Sequence, residues 1–193
     1  MPLSPPAPRR HIHTRRIECR GYLREDGLWD VDAWIEDTKT YPFESELRGT
    51  VEAGGQVHDM VARLTLDDRL LIHAAEAESR ATPYRICPAA AAGFSQLAGL
   101  RIRPGWMREV GKVYGGREAC THLFELIRPM ATVAFQTIYP WREREAQLAG
   151  RPAAGRFAGP PVDSCYAYAS DREVVAKLRA DQALGCSTAA SRK

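Results

Sequence analysis

The chain has 193 residues, of which 45% are apolar and 26% are charged, and its net charge at pH 7 is +3. This composition is typical of a soluble globular protein with one core, and the charge is too small to indicate nucleic-acid binding. No run of about 18 apolar residues is present, and the N-terminus lacks the apolar segment of a secretory signal. We therefore expect a cytoplasmic protein without a membrane segment, in which the five cysteines stay reduced.

Two β-hairpins are predicted in the first half of the chain. Apolar side chains alternate on both sides of Asp26-Gly27, a strong hairpin signal, and the pattern predicts a hairpin over residues 14–37. The same alternation predicts a second hairpin over residues 57–78, with its turn at Asp67 and Asp68. The two hairpins should pair into a mainly antiparallel sheet.

Helical patterns follow the two hairpins. Residues 85–99 are predicted to form a helix with Pro88 at its first position, and residues 101–114 a shorter one. Residues 119–138 carry apolar side chains at helical spacing and are predicted to form the longest helix. The expected fold class is therefore α+β, an antiparallel sheet covered on one face by three helices.

A single domain is expected over residues 11–184, between disordered tails at 1–10 and 185–193. Within this domain, residues 139–161 are rich in proline and glycine and are predicted to form a loop. Residues 163–168 could then add an edge strand before a last helix.

The start of the longest predicted helix places a thiol beside an imidazole, since His122 follows Cys120 by two residues. Free N–H groups at a helix start favour a nearby anion, so the Cys120 thiolate is a candidate nucleophile or metal ligand. Cys87 precedes Pro88 at a second predicted helix start and is a second candidate ligand. The alternative is that both cysteines are small buried side chains without chemical function.

An arginine-rich strip covers residues 9–24, which contain a single acidic residue. Arginine binds carboxylate and phosphate groups bidentately, so Arg15, Arg16 and Arg20 are candidate anion-binding residues. The alternative is a solvated strand face. No interleaved aromatic residues indicate nucleic-acid binding, and we expect a small anionic molecule or a protein as the partner. The strip also contains His11 and His13, a weaker candidate pair for a metal.

Several motifs resemble those of a bacterial family of uncharacterised proteins with a domain of unknown function. The strings that carry this resemblance are His13-Thr-Arg-Arg-Ile-Glu-Cys-Arg-Gly-Tyr22, Ile86-Cys-Pro88 and Gly116-Arg-Glu-Ala-Cys-Thr-His-Leu123. The resemblance covers most of residues 11–180. It implies a soluble bacterial protein and supplies no activity.

A second, fainter resemblance concerns the order of the elements. Two hairpins, a Cys-led helix, a short helix and another Cys-led helix are similar to the iron–sulfur assembly scaffolds of the IscU and NifU type. Val57-His58-Asp59, Cys87-Pro88 and Cys120-Thr-His122-Leu123 stand at the analogous places. The resemblance implies a site made from His58 or Asp59, Cys87 and Cys120, with His122 as a further candidate. It does not imply cluster assembly.

Two thiolates with an imidazole and a carboxylate would form a ligand set suited to zinc or iron. Cys165 is a candidate third sulfur ligand. An open coordination position could ionise a bound water or polarise a carbonyl group, with Asp59 or Glu125 as the acid–base partner.

Three functions remain open from the sequence. The first is a metal-binding protein, which would be scaffold-like or would act on a small anionic substrate in bacterial catabolism. The second is a metal-free cysteine enzyme in which Cys120 attacks an acyl or thioester carbon with His122 or His58 as the base. The third is a non-catalytic accessory or binding domain.

Overall fold

The computed structural model describes residues 2–150, 162–163 and 165–180. The chain divides into two compact units, the first ending at Ile138 and the second beginning at Tyr139. The predicted single domain over residues 11–184 spans both of them.

The first unit is α+β, as predicted, and is built on antiparallel strands followed by helices. The strands are, in chain order, β1 (His13–Leu23), β2 (Trp29–Lys39), β3 (Phe43–Ser45), β4 (Gly49–Val51), β5 (Gln56–Leu66) and β6 (Ile72–Ala81). The helices are α1 (Ala89–Ala92), α2 (Trp106–Val113) and α3 (Thr121–Leu148), of which α3 belongs to the first unit as far as Ile138. Four strands form one sheet in the order β1-β2-β5-β6, and β3 pairs with β4 in a separate short hairpin.

Both predicted hairpins are confirmed, and the residues at their turns explain where they form. Gly27, in the turn between β1 and β2, has a φ of 83°, a left-handed conformation that glycine adopts without strain. In the turn between β5 and β6, Asp67 Oδ1 accepts the backbone N–H groups of Arg69 and Leu71 at 2.8 and 2.9 Å. The Asp67 side chain thus accepts backbone N–H groups that have no strand partner within the turn.

One face of the sheet forms the core together with α3. Alternate side chains of β2 and β5 are buried there, namely Trp29, Val31, Ala33, Ile35, Met60, Ala62, Leu64 and Leu66. Buried side chains of α3 recur at helical spacing, namely Leu123, Leu126, Ile127, Met130 and Ala134. The helix approaches β1 closely at Gly21, where an added Cβ atom would lie 2.0 Å from Thr137 Oγ1.

The opposite face of the sheet is charged. Arg63 of β5 donates two hydrogen bonds to Asp32 of β2, at 2.6 and 2.8 Å. Arg16 of β1 pairs with Glu36 of β2 at 3.3 Å. Because successive side chains of a strand alternate between faces, these pairs lie on the face away from α3.

The helices differ from the sequence prediction in their lengths. The segment 85–99 is helical only from Ala89 to Ala92, and a 3₁₀ turn over Gly93–Leu97 follows. Pro88 precedes this helix as its N-cap. A helix of one turn has few aligned peptide dipoles, so it gives Cys87 little of the stabilisation that the sequence argument assigned to it.

The longest helix extends past Ile138 to Leu148, into the segment that was predicted to be a loop. The apolar face of α3 anchors its first half to the sheet, and this packing offsets the proline within that half. Residues 162–163 and 165–170 form turns and bends, not the predicted edge strand, and residues 173–180 are helical. The predicted tail at 185–193 lies outside the described residues.

Candidate metal centre

Three polar residues lie side by side on adjacent strands, at one end of the face that α3 covers. Arg15 of β1 is opposite Asp37 of β2, and Asp37 is opposite His58 of β5. The register between β2 and β5 shifts directly after Asp37, because Thr38 pairs with Gln56. Such bulges change the direction of a strand and are frequent beside functional sites.

The first turn of α3 brings His122 to this row. Its ring stacks on that of His58, with ring centroids 3.7 Å apart and planes tilted by 32°. His122 Nε2 lies 3.8 Å from Asp37 Oδ2, and His58 Nδ1 lies 2.9 Å from the same oxygen. One ligand atom of each of these three residues lies within 4.8 Å of the other two, and within the described ranges no other set of three or more His, Cys, Asp or Glu side chains does so.

Asp37 is the buried hub of this cluster, with a side chain that is 1% exposed. Arg15 donates to both carboxylate oxygens, from Nε to Oδ1 and from Nη2 to Oδ2, each at 2.8 Å. His13 Nε2 donates to Oδ1 at 3.0 Å, and His58 Nδ1 donates to Oδ2. Burial alone would raise the pKa of Asp37, but the bonds from Arg15 and His13 outweigh it and hold that pKa well below its usual range. The carboxylate is therefore ionised at neutral pH.

Both imidazoles of the cluster favour the neutral form. Burial lowers the pKa of His58 and outweighs the hydrogen bond to Asp37, which acts to raise it. Burial also lowers the pKa of His122, and the positive charges of a protonated His58 and of Arg15 lower it further. A neutral imidazole is the form that binds a metal ion, so little proton competition is expected at neutral pH.

The fixed charges around the cluster favour a cation. Arg15 also donates through Nη1 to Glu125 of α3. Counting only the guanidinium and the two carboxylates, Arg15, Asp37 and Glu125 sum to +1 − 2 = −1; the imidazole of His13, which also contacts Asp37, is outside this sum. A bound divalent ion would therefore meet a net negative environment, although the guanidinium lies close by.

The cluster is close to the dimensions that a metal requires. Two nitrogen or oxygen ligands at 2.0–2.2 Å from a tetrahedral zinc ion lie about 3.3 Å apart. The observed 2.9 Å between Asp37 and His58 and the 3.8 Å between Asp37 and His122 lie on either side of this value. The ion would take the place of the proton that His58 and Asp37 now share. Two of the three ligand separations are thus close to those around a bound metal ion, and the stacked rings of His58 and His122 would have to turn for both nitrogens to point at it.

A cavity of about 530 Å³ opens beside the two imidazoles. Its lining includes Cys87, Cys120 and Met60, together with apolar side chains of the segment that connects β6 to α1. The Tyr114 hydroxyl connects two segments that line this cavity. It accepts the Cys120 N–H at 3.4 Å and donates to the carbonyl of Ala90 at 3.1 Å.

The ligands predicted from the sequence are only partly brought together. His58 and His122 belong to the cluster of three, whereas Cys87 and Cys120 line the cavity beside it. Cys120 Sγ lies 3.8 Å from His122 Nδ1 and 3.8 Å from Met60 Sδ.

Two further predicted ligands lie elsewhere. Asp59 follows His58 on β5 and, by strand alternation, points to the opposite face, where it is paired in register with Glu36. Cys165 is exposed and belongs to the second unit. Neither is part of the cluster of three.

The three arginines predicted to bind an anion lie on both faces of β1. Arg15 faces α3 and is bound by Asp37 and Glu125. Arg16 and Arg20 lie on the opposite face, where Arg20 pairs with Glu18 at 2.6 Å. Anion binding by these residues stays a prediction, and any such anion would compete with the carboxylates that they already bind.

Asp37 is the residue that the sequence reasoning missed. A signal for it exists, because the buried alternation of β2 from Trp29 to Ile35 continues to Asp37. A carboxylate in a row of buried side chains requires a charged or hydrogen-bonding partner. The partners themselves lie on β1, β5 and α3, so only the tertiary structure identifies them.

The comparisons with known proteins define a family and no activity. No helix among the described residues is long and apolar enough to cross a membrane. No curated protein and no solved structure matches the chain, so the resemblance to IscU and NifU scaffolds gains no support. A family model described as "Protein of unknown function (DUF2889)" matches residues 13–136, which include every residue of the cluster. The chain therefore belongs to the DUF2889 family.

Proposed function

We propose that this protein binds one zinc or iron ion through Asp37, His58 and His122 and uses it on a small anionic substrate. The observation that carries the proposal is the convergence of two neutral imidazoles and one ionised carboxylate from three separate elements. Two imidazoles and one carboxylate suit zinc or ferrous iron, whereas magnesium and calcium would require more oxygen ligands.

Three protein ligands would leave at least one coordination position open, and two of the ligands, His58 and His122, line the cavity. A metal held in this way lowers the pKa of a bound water or polarises a carbonyl oxygen. Glu125, held by Arg15 one turn into α3, is the carboxylate closest in sequence to the His122 ligand and the candidate acid–base group.

The surrounding residues support the same assignment by orienting the ligands. Arg15 fixes both oxygens of Asp37, and His122 presents Nδ1 to Cys120 Sγ while Nε2 points to Asp37. Metal-binding histidines commonly donate their second N–H to an acceptor that fixes the tautomer. In this proposal Cys120 orients a ligand and does not itself bind the metal.

The test is the metal content of purified variants after reconstitution with zinc or ferrous iron, measured by mass spectrometry. Asp37→Asn and His122→Ala should each lose most of the bound metal. Asp59→Asn and His73→Ala are matched controls, because one changes the neighbouring carboxylate on the opposite face and the other an exposed histidine of β6. Equal metal content in all four variants would refute the proposed centre.

A second candidate function is a metal-free cysteine enzyme. The distances favour it as well, because Cys120 Sγ, His122 and Asp37 form a thiol–imidazole–carboxylate series with 3.8 Å at each step. The Cys120 thiol would transfer its proton to His122 Nδ1 and attack an acyl or thioester carbon. The bond from that carbon to the leaving alcohol or thiol would break, the imidazolium would return the proton to the leaving group, and water would later release the acyl group from Cys120. The dependence of its alkylation rate on pH reports the thiol pKa. If the protein binds no metal and the Cys120 thiol reacts like an unperturbed cysteine, the third alternative is left, a non-catalytic binding domain.

A further inference from the structure

The cavity beside the proposed centre has one polar end and one apolar wall. His58, Cys120 and His122 lie together at its polar end, and Arg117, Glu118 and Thr121 also line the cavity. Its apolar wall comes from the segment between β6 and α1 and from α1 itself, with Tyr84 and Ile86 as the largest side chains. A volume of about 530 Å³ is within the range of small-molecule sites.

Tyr84 and Ile86 are unusually accessible for large apolar side chains. Their exposed fractions are 57% and 79%. A single exposed apolar residue needs no explanation, but these two lie on one wall of a cavity that ends at a cluster of candidate ligands. A molecule with an apolar body would remove both from water when its polar end reached His58 and His122.

The charges around the cavity indicate the sign of the ligand group that would reach its polar end. Arg117 at the cavity lining is paired with Glu118 at 3.4 Å, so this pair adds no net charge. The fixed charges of Arg15, Asp37 and Glu125 sum to −1, and a divalent ion would change that sum to −1 + 2 = +1. A monoanionic head group is therefore complementary to the loaded centre, and a cationic one is not.

We propose that the cavity binds monocarboxylates with an apolar chain or ring, the carboxylate on the metal of the centre and the apolar part against Tyr84 and Ile86. This inference rests on the proposed function, because the metal supplies the charge that attracts the head group. Recognition of the apolar part depends on a different set of residues from recognition of the head group.

The experiment is calorimetric titration of the zinc-loaded protein with acetate, butyrate, hexanoate and octanoate, and with octanol and octylamine. The dissociation constant should fall by about two- to fourfold for each added methylene, since each removes apolar surface from water. Octanoate should bind more tightly than octanol or octylamine. Ile86→Ala should reduce the gain per methylene, whereas Leu47→Ala, an exposed apolar residue outside the cavity lining, should not.

The outcomes separate the two proposals. A protein that holds zinc but binds the whole series with one affinity would overturn the ligand class and leave the metal centre intact. A protein without zinc would refute the centre, as measured by metal content alone. If that protein still gained affinity with each methylene, and Ile86→Ala reduced the gain, the result would support binding of the apolar chain by Ile86. It would overturn the assignment of the carboxylate to a metal.

Discussion

The guanidinium of Arg15 sets the geometry of the candidate site at the scale of single residues. It donates to both oxygens of Asp37 and reaches Glu125 with its remaining terminal nitrogen. The planar fork fits a carboxylate bidentately, which a lysine ammonium cannot do. Arg15 thereby holds the Asp37 ligand and the α3 carboxylate in fixed positions relative to the two imidazoles.

Replacing the fork while keeping the charge tests this role. Arg15→Lys should weaken zinc binding by about tenfold or more, because outer residues that orient metal ligands commonly contribute that much. The matched control is Arg16→Lys, since Arg16 carries the same charge on the next position of β1 but faces away from α3 and pairs with Glu36. Competition with a fluorescent zinc chelator would measure both affinities. Equal affinities of the two variants would contradict a positioning role for Arg15.

The half-buried imidazoles of His58 and His122 also make the metal-free protein sensitive to acid. The pKa of His58 and the pKa of His122 lie below the usual 6.5 in the folded state, chiefly because of burial. On acidification the unfolded chain therefore binds protons at these residues before the folded protein does. By linkage, the free energy of unfolding should decrease as the pH falls below 6.5.

Urea unfolding at several pH values in the presence of a chelator would measure this decrease. A double variant, His58→Gln with His122→Gln, should lose much of the slope between pH 6.5 and pH 5. His73→Gln serves as the control, because His73 is exposed on β6. A slope that survives the double variant would assign the acid sensitivity to other groups.

At the scale of elements, the contact between β1 and α3 depends on a glycine. An added Cβ at Gly21 would lie 2.0 to 2.8 Å from three side-chain atoms of Thr137, including its Cβ, which no rotation about χ1 moves away. Gly21→Ala should therefore lower the free energy of unfolding by about 1–3 kcal/mol. Gly111→Ala is the control, because nothing lies within 4 Å of an added Cβ there and alanine favours its helix by about 0.5–1 kcal/mol. Chemical denaturation would measure the change in the free energy of unfolding for each variant, and the two changes should have opposite signs.

The hairpins could be predicted from the sequence because their signals are local. The alternation of apolar and polar residues around Asp26-Gly27 and around Asp67 predicts both the strands and the turns to within a few residues. The helix lengths were less predictable. The alanine-rich segment after Pro88 continues as a 3₁₀ turn, and α3 continues past Ile138, since packing rather than propensity decides where these elements end.

The candidate site could be predicted only where the residue type itself indicates chemistry. His122 was identified as a candidate ligand because it follows Cys120 at a predicted helix start, and His58 because the resemblance to IscU and NifU scaffolds implied it. Asp37 was not, because an aspartate near a strand end is ordinary until its neighbours across the sheet are known. The registers that place Asp37 between Arg15 and His58 depend on long-range strand pairing, which the sequence pattern leaves open.

At the scale of the whole first unit, the proposed centre connects segments that are distant in the chain. Asp37 lies on β2, His58 on β5 and His122 on α3, and the metal would join them into one cluster. The unfolded chain presents no such preformed set of ligands. A metal ion should therefore bind the folded state selectively and stabilise the unit as a whole.

This selective binding predicts the effect of metal on thermal unfolding. Free zinc at about 100 times its dissociation constant should add about 2.7 kcal/mol, which raises the thermal midpoint by about 5 °C or more for a chain of this size. Magnesium at the same concentration should produce little change, because two imidazoles are poor ligands for it. His122→Ala should keep a cooperative transition in the absence of metal and lose the response to zinc. A zinc-induced shift of equal size in His122→Ala would place the bound ion elsewhere and remove the proposed centre.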